Sequence, residues 1–151
     1  MPGGYLKTSS TGSFNFIKLD KEEELIQSLV QFALDSGKHT GFITGIGVLK
    51  DVELGYFDVE KKKYDVKSFK GEYELLSMMG NIALTDGKPL PHVHVVLSGE
   101  DFKAFGGHLV RGYVGVTCEM VMAAVDIRIE RIYDSETGLK LLTPSQEVKE
   151  K

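Results

Sequence analysis

Three histidines carry the chemistry this sequence offers. In Pro91-His92-Val93-His94-Val95-Val96-Leu97 an extended chain sends successive side chains to opposite faces, so His92 and His94 share one face and Val93, Val95 and Leu97 the other. His108, in Gly106-Gly107-His108-Leu109, follows 14 residues after His94. That separation lets the chain turn and return a third imidazole from the neighbouring strand, and the glycine pair permits a backbone approach that a Cβ would obstruct. Neutral imidazole is the commonest metal-ligand side chain, and three of them with an open fourth position describe a catalytic zinc site rather than a closed structural one. The competing reading is three histidines satisfied as ordinary core or surface residues. His39, in Ser36-Gly37-Lys38-His39-Thr40, follows a helix end and reads as solvated.

Two glutamates stand in strand-like runs. Glu74 alternates with Leu76 and Met78, and Glu119 with Val121, Ala123 and Val125, which assigns each carboxylate to an apolar face. A carboxylate buried there needs a hydrogen bond, an ion pair or a metal. Either could be a structural acid bonded to backbone, Tyr or Arg. Either could instead orient a ligand histidine or serve as a general base beside the metal, which makes Glu74 and Glu119 the candidate catalytic residues.

The rest of the chain must position these groups. Its 151 residues suit one domain with a real core, and 42% hydrophobic against 26% charged residues is an ordinary globular composition. No apolar run approaches the roughly 18 residues of a membrane span, and Met1 to Lys7 has no hydrophobic signal core, so the expected location is cytoplasmic with no membrane partner. The single cysteine, Cys118, sits between Val116 and Met120 and reads as a small buried hydrophobe in a reducing compartment. The net charge is −4, and Arg111, Arg128 and Arg131 are the chain's arginines. A protein gripping nucleic acid unaided usually concentrates Lys and Arg on one face. The run Lys61-Lys62-Lys63 beside Asp58 and Glu60 reads as a solvated hairpin loop instead.

Ser13 to Leu19 predicts a first strand. Asp20 then offers a helix N-cap, with Glu22 to Glu24 at the positive end of the helix dipole, Leu25, Leu29, Phe32 and Ala33 on one face, and Gly37 as the stop. From Gly41 the period becomes two. Phe42 to Leu49, Val52 to Phe57, Lys63 to Val66, Tyr73 to Gly80, Asn81 to Thr85, the histidine strand, and a long run from Tyr113 to Tyr133 all read as strands, with Leu139 to Leu142 beyond a turn. The expectation is an α+β fold: a mostly antiparallel sheet with one major flanking helix, forming a single domain over residues 13–142 between flexible tails at 1–12 and 143–151.

Four stretches taken together resemble a known family. Gly71-Glu72-Tyr73-Glu74-Leu75-Leu76-Ser77-Met78-Met79-Gly80, Pro91 to Ser98, Gly106 to Leu109, and Thr117-Cys118-Glu119-Met120-Val121 occur in the order and approximate spacing of the plants and prokaryotes conserved domain, which in plants accompanies AT-hook motifs. The resemblance covers about residues 13–133. It implies a homotrimer, and a binding or regulatory role linked to DNA or DNA-bound proteins. The Arg-Gly-Arg core with which an AT-hook reads the minor groove is absent, and Glu72 stands where the family motif tends to carry a basic residue, so association with DNA by this chain alone is expected to be weak. His92, His94 and His108 are also similar in pattern to the zinc histidines of acetolactate decarboxylase. That similarity carries over the histidines and not the chemistry; the alternative expectation, a metal-dependent enzyme of lyase or hydrolase type acting on a small molecule, rests on a metal that polarises a carbonyl or activates water while Glu74 or Glu119 handles a proton.

Overall fold

The computed structural model describes residues 7–144. The elements run β1 (Lys7–Thr11), β2 (Phe14–Asp20), α1 (Leu25–Ser36), β3 (Gly41–Asp58), β4 (Lys63–Thr85), β5 (Lys88–Ser98), β6 (Ala104–Ala124), β7 (Ile129–Tyr133) and β8 (Lys140–Pro144). The expected class, a mostly antiparallel sheet with one flanking helix, is the one observed. β1, which pairs with β2, lies in the stretch expected as an N-terminal tail; residues 145–151 of the other expected tail lie outside the described residues.

The helix starts later than its sequence suggests. Asp20 is the last residue of β2, paired with Thr117, and is not the cap. The acidic triplet divides the work: Glu22 turns the chain at φ 74°, the Glu23 carboxylate accepts from the Asp20 backbone N–H at 2.6 Å, and Glu24 is the N-cap. The Glu24 carboxylate accepts from Ile26 N at 3.2 Å and Gln27 N at 2.7 Å, and from Gly112 N of β6 at 3.2 Å, which ties the helix start to the sheet. Gly37 in the left-handed conformation ends the helix. Leu25, Leu29, Phe32 and Ala33 are buried, and α1 packs on β5 and β6.

The strand order is β1-β2-β6-β3-β4-β7-β8, with β5 paired to both β4 and β6. Consequently β3, β4, β5 and β6 each bond two of the others and close a circuit around Ile43, Leu49, Leu75, Met78, Leu97, Met122 and their neighbours. The runs read as separate strands at Phe42 and Val52 are one strand, bent by register shifts at Gly45/Gly47 and Lys50/Val52. The long run ending at Tyr133 is broken instead. Thr40 Oγ1 donates to Val125 O and Ile127 O, drawing the chain out of the ladder after Ala124 so that β7 lies parallel to β4, with Leu84 opposite Glu130.

Cross-strand partners share a face. One row runs Phe16, Val121, Thr44, Met79, His94, His108; another runs Phe14, Ala123, Phe42, Asn81, His92. The histidines thus continue an outer face on which Phe14, Phe16, Phe42, Ile46 and Met79 are exposed.

Candidate metal centre

His92 and His94 stand on β5, and His108 stands on β6 directly opposite His94. Their ring centroids are 5.1 Å (His92–His94), 5.0 Å (His92–His108) and 5.6 Å (His94–His108) apart. One nitrogen from each lies within 4.8 Å of the others. Close strand approach makes this possible. A Cβ on Gly106 would fall 2.2 Å from Val95 O, and one on Gly80 would fall 2.1 Å from His92 O.

Burial disfavours the charged imidazolium. It pushes His92 down to about 4, assisted by the charges of Arg131, His108 and His94, and it lowers His108 with help from His94 and Arg131. Both rings are therefore neutral at physiological pH, the form that ligates metals. His94 is exposed, so the cluster opens outward. His108 Nδ1 is buried with no hydrogen-bond partner among the described residues, an omission that costs about 1–3 kcal/mol unless something occupies it. Three converging imidazoles, two of them held neutral by burial, and an orphaned buried nitrogen fit a zinc-type ion.

The surroundings contain residues the sequence reading missed. Arg131 on β7 donates from Nη2 to Asn81 Oδ1 at 2.6 Å and to His92 Nδ1 at 3.2 Å; since a guanidinium has no acceptor, His92 Nδ1 must be unprotonated in this arrangement. The Tyr64 ring lies against His108, centroids 4.9 Å apart. Thr85, His92, His108 and Arg131 line one cavity of about 360 Å³. A polar Asn81 inside an apolar run was the available signal; nothing local to Arg131 announces that β7 crosses beside β5.

Glu74 and Glu119 are not brought to the histidines. A register shift between Leu75 and Ser77 leaves Glu74 and Leu76 exposed while Met78 is buried, and Glu74 faces Ser98, on the order of 13 Å along β5 from His94 at the usual strand rise. Glu119 does alternate with Val121 and Ala123, but on the open face; the buried set is Cys118, Met120 and Met122. Three strand spacings, on the order of 14 Å, separate its row from His94. Neither carboxylate is buried, and neither is within reach of a ligand histidine. Cys118 is inert as expected, burial pushing its thiol up to about 12.

The family model of the Plants and Prokaryotes Conserved (PCC) domain matches residues 6–126. A plant- and prokaryote-conserved protein of Pyrococcus horikoshii is 37% identical, with TM-score 0.81 over 97% of this chain and 99% of its own. A metal-containing protein of Archaeoglobus fulgidus is 31% identical, with TM-score 0.80 over 95% of this chain and 99% of its own. A candidate DNA-binding protein of Bacteroides thetaiotaomicron is 26% identical, with TM-score 0.89 over 93% of this chain and 99% of its own. Acetolactate decarboxylase of Bacillus subtilis, at 14% identity and TM-score 0.52, shares the fold alone. No curated protein matches the chain in sequence.

Proposed function

This chain belongs to the Plants and Prokaryotes Conserved domain family, and from that premise we propose that it is a cytoplasmic homotrimeric binding protein that carries a zinc ion on His92, His94 and His108. The observation that carries the metal is the convergence of three imidazole nitrogens within 4.8 Å. The Archaeoglobus relative, described as metal-containing, supports it. Zinc bound there would supply a Lewis-acidic anchoring point for a ligand. For the trimer the support is the exposed apolar face carrying Phe14, Phe16, Phe42, Ile46 and Met79, a patch of the kind that marks protein contacts. The Bacteroides relative, described as a candidate DNA-binding protein, supports a regulatory role in complexes at DNA, with other components making the grip, since the net charge here is −4.

A second reading, a metal-dependent lyase or hydrolase, is favoured by the cavity of about 360 Å³ that His92, His108 and Arg131 line. Within one chain Glu74 and Glu119 lie away from that cavity, so this reading leans on the histidines and Arg131.

Element analysis of untagged protein, run alongside sedimentation equilibrium, tests the first reading. The expected result is roughly one zinc per chain and a particle of three 16.7 kDa chains. Metal-free protein that takes up no zinc on titration would overturn the metal; a 16.7 kDa particle at micromolar concentration would overturn the trimer.

A further inference from the structure

We propose that the cavity beside the histidines binds a small organic carboxylate with an apolar body, and that Arg131 is its charge partner. The proposal deepens the metal reading above and rests on it for what the histidines do. Four buried side-chain polar atoms lack a partner among the described residues, and three of them, Thr85 Oγ1, His108 Nδ1 and Arg131 Nε, belong to residues lining this one cavity. Among the described residues Thr117 Oγ1 alone shares this deficit away from the cavity, so the unpaired groups concentrate where a ligand would satisfy them.

The charge is equally one-sided. Arg111 and Arg128 pair with Glu53 and Glu130, and Lys140, which also lines the cavity, pairs with Asp86. Arg131 makes no ion pair among the described residues. Its partners are Asn81 Oδ1, His92 Nδ1 and, at 3.5 Å, Lys140 O. A guanidinium offers five N–H donors in a planar fork suited to a carboxylate, so two remain unused.

Loading the histidines increases the demand. An imidazole that gives one nitrogen to a metal keeps its proton on the other, so His92 cannot hold a metal and accept from Arg131 together, whichever nitrogen it uses. A third N–H of Arg131 is then free. Apolar side chains, Leu90, Leu109, Leu139 and Leu141, wall much of the same cavity. That wall suits a hydrocarbon body and disfavours a phosphate, whose fully hydrated charge is costly to bury.

Calorimetric titration with 4-methylpentanoate, its uncharged amide 4-methylpentanamide, and inorganic phosphate tests this on zinc-free and zinc-loaded full-length protein. The carboxylate is expected to bind zinc-loaded protein at least about tenfold more tightly than the amide, and zinc-free protein at least about threefold more tightly. Arg131→Gln should abolish the preference in both forms while leaving zinc uptake intact, and Arg131→Lys should keep part of it. Equal affinity for acid and amide, tighter binding of phosphate, or a preference that survives Arg131→Gln would overturn the proposal. Should Arg131→Gln fail to fold, the acid-to-amide ratio of the native protein and of Arg131→Lys still decides. A protein that takes up no zinc yet prefers the acid through Arg131 sinks the metal reading alone; one that takes up zinc and shows no preference sinks this proposal alone.

Discussion

His94 and His108 face each other across the seam between β5 and β6, while His92, two residues earlier, pairs with Asn81 on the opposite edge of β5. The cluster therefore exists because β5 is held on both sides, by β4 and by β6. Closing the strand circuit and assembling the site are one event.

His94→Ala separates ligation from folding. The side chain is exposed, so zinc-free stability should change by no more than about 0.5 kcal/mol, as at other surface positions. Zinc affinity should fall by more than about 100-fold, beyond the range of a supporting residue. Competition against a chromophoric chelator, with urea unfolding of the zinc-free form, reads both.

Gly106→Ala should damage fold and site together. Its Cβ would meet Val95 O at 2.2 Å, backbone that cannot move without parting β5 from β6. Overpacking of this kind costs about 1–3 kcal/mol, and the displaced His108 should bind zinc more weakly. Unchanged urea midpoint and zinc affinity would refute the close-approach argument.

Alternation and the glycine pair made the three histidines legible, because both are local: a strand's period of two fixes His92 and His94 on one face, and Gly106-Gly107 announces the close return. The apolar face of α1 and its stop at Gly37 were legible for the same reason. What failed depended on register and distant partners. Glu74 was misplaced by a register shift that nothing in its own strand signals, and Glu119 by an apolar face that lies outside the core. Asp20 lost the cap to Glu24, whose carboxylate also bonds Gly112, 88 residues away. Arg131 entered the site only because Thr40 breaks the strand after Ala124, a tertiary contact with no sequence period.

Acid should destabilise the zinc-free protein before its carboxylates titrate. Unfolded His92 takes up its proton near 6.5, whereas the folded residue does so near 4. Below 6.5 the unfolded state binds more protons, so the stability contributed by this residue is complete above 6.5 and drains away as pH falls toward 4. His108 shifts in the same direction. A melting temperature that declines between pH 6.5 and 5, and a flatter profile for His92→Gln, are the expected results.

Duplex DNA should bind the isolated protein weakly and without sequence preference. The chain carries 22 acidic against 18 basic residues, and Arg111 and Arg128, two of its three arginines, are ion-paired. Any binding should fade between about 50 and 200 mM salt, as contacts made only to phosphate do. Fluorescence anisotropy giving submicromolar, sequence-selective affinity at about 150 mM salt would contradict this.

Phe16→Glu asks which face the trimer uses. Phe16 is 54% exposed in the single chain and lies opposite Val121 in the row that continues to His94 and His108. In an isolated protomer the glutamate would remain solvated, so folding should be nearly unaffected. Inside a trimer contact it would be a buried charge without a partner, which costs several kcal/mol per interface. Sedimentation should therefore show the particle shifting from three chains toward one, with circular dichroism unchanged. Zinc uptake per chain should persist, because all three histidines come from one protomer. A variant that stays trimeric would move the interface to another surface, and one that turns monomeric and loses zinc would show that a neighbouring chain completes the site.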